Sequence, residues 1–225
     1  MVFSSAIFLL LFLPITFILN YFVKNKYSNL LLLVASLIFY AWGEPIYVLL
    51  MFASIVINWV IGRMIDRLSG KKRGLALFVG VVCDLGILGY YKYAAFFVSI
   101  LNGMLHREVF PVPEITLPIG ISFFTFQAIS YIADVYKGET EVSPKLVNTA
   151  LYISFFPQLI AGPIVKYRDI NKQIESRTMT ADKIAAGFKR FIYGLSKKVL
   201  ISNVLGLCVD TIYGYNIATV DTKTV

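Results

Sequence analysis

Long uncharged apolar runs alternate along this chain with short clusters of Lys and Arg. Residues 2–23 carry no charged side chain, and about 20 apolar residues suffice to cross the hydrocarbon core as a helix. Lys24 and Lys26 end that run. From Ser28 to Gly62 the only charge is Glu44, followed at once by Pro45. This is too long for one span. Gly43-Glu44-Pro45 is a turn signal, because the residue before proline avoids the α region and proline itself starts helices well. The pattern therefore predicts two helices, Asn29–Trp42 and Pro45–Gly62. Leu75 to Leu101 is the next predicted span, interrupted by Asp84 and Lys92, and Leu117 to Tyr136 follows it. Farther on, Thr180 can cap a helix with Asp182 in its first turn. Ile184, Phe188, Phe191, Leu195 and Val199 then recur at steps of three and four. This predicts a basic amphipathic start lying in the interface and running into a last span near Tyr213.

The charges between the runs orient them. Arg63, Arg67, Lys71, Lys72 and Arg73 face only Asp66 in residues 63–74, the strongest inside signal in the chain. The Lys24/Lys26 link falls on the same side, which puts the N-terminus outside. Residues 102–116 then form a sparsely charged outer loop. The run 150–165 is uncharged but holds Pro157 and Gly162-Pro163, and a second basic stretch with Lys166, Arg168, Lys172 and Arg177 lies behind it. If 148–165 crossed, that basic stretch would lie outside and break the charge bias. A re-entrant segment keeps both flanks inside, with its non-helical backbone buried in protein or lining a cavity. The expected fold is all-α and polytopic, with about six crossings plus one re-entrant segment.

Composition agrees with a bilayer protein: 58% of residues are hydrophobic and 15% are charged, against roughly a quarter charged in soluble domains. The net charge of +8 lies in loops flanking apolar runs, where anionic lipid explains it and nucleic acid is not needed. The first run lacks a basic leader and an AxA-like cleavage site, so it reads as a retained span. Cys83 and Cys208 sit in apolar runs and offer no disulfide framework or CxxC site. The single His106 has no second ligand nearby, so no metal site is expected. No GxSxG elbow, P-loop or HExxH occurs.

Polar groups inside apolar runs are the remaining candidates. Gln127, Tyr131 and Asp134 fall at i, i+4 and i+7, along one helix face. They form either a hydrogen-bonded seam between helices or the lining of a path to a buried site. Asp84 and Lys92 lie about two turns apart, too far to pair within their helix, so each needs another partner or Lys92 must snorkel outward. Glu44 reads as a helix-start carboxylate, and His106 as an incidental polar residue of an outer loop.

Several ordered motifs also resemble one family. Phe3-Ser4-Ser5, the stretch Ser36-Leu37-Ile38-Phe39-Tyr40-Ala41-Trp42-Gly43-Glu44-Pro45, and Leu117-Pro118-Ile119-Gly120-Ile121-Ser122-Phe123-Phe124-Thr125-Phe126-Gln127 are similar to bacterial membrane-bound O-acyltransferases of the alginate O-acetyltransferase type. Tyr131-Ile132-Ala133-Asp134-Val135-Tyr136, Phe156-Pro157-Gln158-Leu159-Ile160-Ala161-Gly162-Pro163-Ile164, and Gly187-Phe188-Lys189-Arg190-Phe191 with Gly194-Leu195-Ser196-Lys197-Lys198-Val199 add to the match. The resemblance implies transfer of an acyl group, usually acetyl, from a cytoplasmic donor such as acetyl-CoA or an acyl carrier, with no bound cofactor. The acceptor is a hydroxyl of an extracytoplasmic polysaccharide such as alginate. It also implies a bacterial inner-membrane location, a ring of helices around a thinned centre, and a partner protein that completes delivery. The family's catalytic histidine sits in a Trp-His-Gly type motif in a C-terminal half that this sequence lacks, and His106 does not match it. Residues 1–225 are thus expected to be the N-terminal part of one membrane-embedded domain. Gln127, Tyr131, Asp134, Gln158, Gly162 and Pro163 are the expected substrate-path residues. Lys189, Arg190, Lys197 and Lys198 could attract an anionic donor or simply anchor in lipid. A polysaccharide or lipid transporter subunit, or a noncatalytic remnant, is the competing expectation.

Overall fold

A computed structural model describes residues 3–107, 109–160 and 162–214. Among them every regular element is a helix: α1 (Leu13–Phe22), α2 (Asn25–Ala41), α3 (Tyr47–Arg67), α4 (Gly70–Leu105), α5 (Ile121–Lys137), α6 (Leu146–Ser154), α7 (Phe156–Leu159), α8 (Tyr167–Glu175), α9 (Ala181–Lys197) and α10 (Asn203–Tyr213). Wider π turns at Phe8–Phe12 and Lys198–Ser202 precede α1 and α10. The described residues divide into two compact units, 15–177 and a second made of 3–14 with 178–214.

Among the described residues, three helical stretches are long and apolar enough to cross a bilayer: Tyr47–Arg67, Gly70–Leu105 and Ala181–Tyr213. The other expected crossings fall short of that length. Phe8–Phe22 is a shorter apolar helix, and α2 and α5 have 17 residues each, or about 25 Å against a hydrocarbon core of about 30 Å. The boundary between α3 and α4 also differs from expectation. Only Leu68 and Ser69 separate the two helices, so the basic residues of 63–74 stand on helix ends instead of filling a loop. Long cationic side chains at helix ends reach the interface without breaking the helix. α4 likewise continues past Asn102 to Leu105. His106 caps it in the left-handed conformation, φ 50°, and Asn102 holds the following loop through two hydrogen bonds with the Phe110 backbone.

The core of the first unit is α3, α4 and α5. α3 buries Met51, Ser54, Ile55, Asn58, Ile61, Gly62 and Ile65, a stripe at steps of three and four. α4 buries the small residues Ala76 and Gly80 together with Asp84 and Leu88. Small residues let helix backbones approach closely in lipid, where dispersion replaces the hydrophobic drive. Gly62 shows this most sharply: a Cβ there would stand 2.7 Å from the Tyr131 hydroxyl. The opposite side of α4 presents Phe78, Val79, Val82, Phe96 and Phe97 outward, a surface suited to lipid and too apolar for water.

Asp84 finds its partners on α3. Asn58 Nδ2 donates to its Oδ1 at 2.8 Å and Ser54 Oγ at 3.4 Å. Lys92 is exposed, with its ammonium 5.4 Å from the Tyr93 ring centre, so it snorkels and does not pair.

Residues 146–177 fold inward and come back. α6 has nine residues, about 14 Å, which is too short to cross. The chain breaks at Phe155 and turns through α7, and its tip reaches the far end of α5. There Gly120, at φ 77°, sits so close to the Leu159 carbonyl that a Cβ would stand 2.9 Å from the oxygen. The return passes Tyr152, whose hydroxyl donates to the Val165 carbonyl at 2.8 Å. Both flanks then meet. Arg168 pairs with Glu139, Asn171 Nδ2 donates to Thr140 Oγ1 at 2.6 Å, and Asn29 bonds both Asn148 and the Ile174 carbonyl. This is the re-entrant path that the charge pattern predicts. The basic ends of α3 and α4 join the same face: Trp59 Nε1 donates to the Ser143 carbonyl at 3.2 Å, and the Arg73 guanidinium to the Val135 carbonyl at 3.0 Å.

In the second unit Thr180 caps α9 by accepting the Lys183 amide, as the sequence predicts. No residue of α9 or α10 is buried.

Two predictions test this arrangement. Cysteines at the exposed positions Lys145 and Lys172 should react with an impermeant maleimide from the same side of sealed vesicles; labelling from opposite sides would contradict the doubling back. Asn58→Leu should lower the stability of the detergent-solubilised protein by about 2–4 kcal/mol, because it strips a buried carboxylate of its closest donor. Adding Asp84→Leu should restore most of that loss in a thermal melt.

Candidate functional site

α5 buries one face, and the three polar residues singled out on it lie there. Gln127 is 1% exposed, Tyr131 0% and Asp134 5%. Their roles differ. Asp134 accepts the Arg168 backbone N–H at 3.3 Å and the Ser130 hydroxyl at 3.5 Å. It therefore seats the first turn of α8, where a carboxylate also complements the helix dipole. The sequence left a seam between helices and a path lining both open; the docking of α8 buries Asp134. Tyr131 fills the notch over Gly62 and meets Tyr167 edge to face, with ring centres 4.9 Å apart. Tyr152 meets Tyr167 in the same way at 5.0 Å. Gln127 holds a buried Oε1 with no hydrogen-bond partner among the described residues, a condition that native proteins rarely tolerate without a reason.

The re-entrant segment supplies the rest. A helix break at membrane depth exposes amides and carbonyls that water cannot reach, and each left unpaired costs several kcal/mol. Pro157 has no N–H to continue α6. The first amide of α7, Phe156, is taken by Ser36 Oγ on α2 at 3.2 Å. The Tyr152 carbonyl, freed at the end of α6, is taken by Gln158 Nε2 at 2.7 Å. Phe39 and Phe156 pack their rings beside this break, 5.6 Å between centres. Gln158 thus joins the α5 face through Tyr152 and Tyr167. Gly162 and Pro163 do not join it: both are exposed, and Gly162 has φ 111° with open space around it.

Outside the membrane-spanning helices, the electrostatics are set by pairs at the surface. The Arg168 guanidinium hydrogen-bonded to Glu139 holds that carboxyl below its ordinary value, and Glu139 in turn raises Arg168. Both are well exposed, so the pair aligns the flanks more than it stabilises them. Burial raises the Tyr167 phenol. Lys189, Arg190, Lys197 and Lys198 stand exposed in the second unit, on α9 and the π turn after it, with Lys198 Nζ 3.5 Å from Ser202 Oγ.

Sequence reasoning missed Ser36, Tyr152 and Tyr167. Tyr152 and Tyr167 read as ordinary apolar-run and loop aromatics, and a serine within a helix carries no signal of the distant amide it serves.

Comparison with known proteins agrees with this architecture. The profile of the membrane-bound O-acyltransferase family matches residues 3–213. The chain is 45% identical to the probable alginate O-acetylase AlgI of Pseudomonas aeruginosa, over 93% of its own length and 41% of the relative's. It is 46% identical to the protein of the same name from Azotobacter vinelandii, over 93% and 43%. It is 32% identical to the peptidoglycan O-acetyltransferase of Helicobacter pylori, over 97% and 47%. The chain thus spans less than half the length of these relatives. No solved structure matches it. The helical bundle, the doubled-back segment and the match along nearly the whole sequence agree: this chain belongs to the membrane-bound O-acyltransferase family.

Proposed function

We propose that residues 1–225 form the front part of a membrane O-acetyltransferase that esterifies hydroxyls of an extracytoplasmic polysaccharide. The observation that carries this reading is the similarity over 93% of the chain to proteins named alginate O-acetylase, with a peptidoglycan O-acetyltransferase also related. These names share one chemistry: an acetyl ester placed on a glycan hydroxyl. Alginate is the favoured acceptor. In such a transfer the hydroxyl oxygen attacks a thioester carbonyl, the thiolate leaves, and a general base takes the hydroxyl proton. No residue of this sequence matches the Trp-His-Gly motif that would supply that base.

What these residues contribute is the way in. The face that gathers Lys24, Arg63, Arg73, Lys145, Lys166 and Arg177 is assigned to the cytoplasm by the positive-inside bias, which leaves the N-terminus outside and the protein in the inner membrane. The donor, acetyl-CoA or an acyl carrier, approaches that face. The short helices α2 and α5 flank the re-entrant segment, and a bilayer thins to match helices below its own thickness. Thinning shortens the distance that the acyl group must travel. Gln127, with its unpaired buried oxygen, lies on the path together with Gln158, Gly162 and Pro163, while Tyr131 and Asp134 hold the segment in place from behind. The basic residues Lys189, Arg190, Lys197 and Lys198 add attraction for an anionic donor or lipid. A partner protein outside the membrane completes delivery to the polymer.

Membranes carrying the intact protein should transfer radiolabelled acetyl groups to polysaccharide. Gln127→Ala should lower that transfer about five- to thirtyfold with an unchanged melting temperature, since a charge-free polar contact in a buried site is worth about 1–2 kcal/mol. Asp134→Ala should lower both transfer and melting temperature. Polymer transport without ester formation would favour a transporter subunit instead; normal turnover in Gln127→Ala would remove Gln127 from the path, and normal turnover in Asp134→Ala would remove Asp134 as its support.

A further inference from the structure

A small cavity of about 110 Å³ lies between the first turn of α2 and the end of α8, within the first unit. Asn25, Ser28 and Asn29 line it from one side, and Ile174, Glu175 and Arg177 from the other. Arg177 is its only cationic lining residue, and it is half-buried. Its Nε donates to the Gln173 carbonyl at 3.0 Å, one terminal nitrogen to Ser28 Oγ at 3.0 Å, and the other to Asn29 Oδ1 at 2.5 Å. All three acceptors are neutral. A guanidinium has five N–H groups, so two remain, and no carboxylate lies within 4.0 Å of it among the described residues. Asn29 is spent on other bonds, to Asn148 and to the Ile174 carbonyl.

A partly desolvated charge without a counter-charge is an unfavourable arrangement unless something supplies one. Burial works in the same direction, pulling the Arg177 basicity below its ordinary value. The cavity is the space where that counter-charge fits. Its volume suits a tetrahedral oxyanion. Arginine binds such groups through paired N–H donors; the Ser28 hydroxyl borders the space but donates its proton to Asn20 Oδ1 at 2.6 Å. The surroundings concentrate anions: Lys24 and Lys26 precede the cavity in sequence and Lys172 stands on α8. Glu175 is the one lining carboxylate, and it works against an anion.

We propose that this cavity binds a phosphate group at the basic face of the protein, with Arg177 as its counter-charge. Two sources share that chemistry, the headgroup of an anionic phospholipid and the phosphate of an acyl donor. The second source rests on the acetyl-transfer reading above, so the test reads binding and not turnover.

The intact protein in neutral detergent is titrated with inorganic phosphate, with coenzyme A, and with phosphatidylglycerol added to the micelles, using chloride at matched ionic strength as control. Melting temperature is followed throughout. Phosphate should raise it saturably, and Arg177→Gln should raise the half-saturating concentration at least about tenfold, the worth of one charge-assisted hydrogen bond. Arg177→Lys should restore part of the response. Because Arg177→Gln also loosens the tie between α2 and α8, Glu175→Gln serves as the second variant. It leaves the Arg177 hydrogen bonds intact and should lower the half-saturating concentration. A response to phosphatidylglycerol without coenzyme A assigns the headgroup, the reverse assigns the donor, and inorganic phosphate alone assigns the free ion. No response from the wild-type protein to any probe overturns the proposal. So does an equal response from Arg177→Gln, or weaker binding in Glu175→Gln.

Discussion

Backbone groups at the depth of a bilayer have no water to fall back on, and the break at Phe155 is where this fold meets that constraint. Everything around the break answers it. Ser36 gives the Phe156 amide an acceptor, Gln158 gives the Tyr152 carbonyl a donor, and the Tyr152 hydroxyl serves the returning chain at Val165. Each bond comes from a different element or from the segment itself, so the segment is stable only where α2, α6 and α7 stand together. Asp134 repeats the logic one layer lower, accepting an amide at the start of α8. Remove these side chains and the same backbone has no reason to stay buried.

The polar interior and the basic face solve opposite problems. Inside, Asp84, Asn58 and Ser54 hold one another across α3 and α4 without a cation, and the tyrosine rings of 131, 152 and 167 fill space while remaining compatible with nearby polar atoms. At the face, cations settle on main-chain carbonyls, as Arg73 does on Val135 near the end of α5 and Arg63 on Pro144 just before α6. The same positive charges that orient the chain in the membrane thus also tie its helices together.

How much of this the sequence carries depends on the range of the physics. The helical class, the re-entrant path and the Thr180 cap were legible, because each follows from charge placement or from neighbours within a turn. The alignment of Gln127, Tyr131 and Asp134 was legible as a face, but not what the face meets. Asp84 announced a missing partner, while Ser54 and Asn58 lay about thirty residues away, and the register of α3 against α4 is set by packing such as that of Gly80 against Ile61. The α3–α4 loop was overestimated for a related reason. Five cations clustered between Arg63 and Arg73 look like solvent-exposed loop, yet long cationic side chains reach water from a helix that stays helical. Asp134 is buried because α8 covers it, and nothing local to residue 134 foretells that.

The dependence of the Phe156 amide on Ser36 also bears on how the protein is made. Some 120 residues of chain emerge from the ribosome between the two partners. A nine-residue helix is too short to be released into lipid as a span of its own. The segment therefore has to enter against helices already in the membrane, with the α2 serine in position before the break arrives. Assembly follows the order of synthesis, and the earliest helices act as the mould for the latest turn.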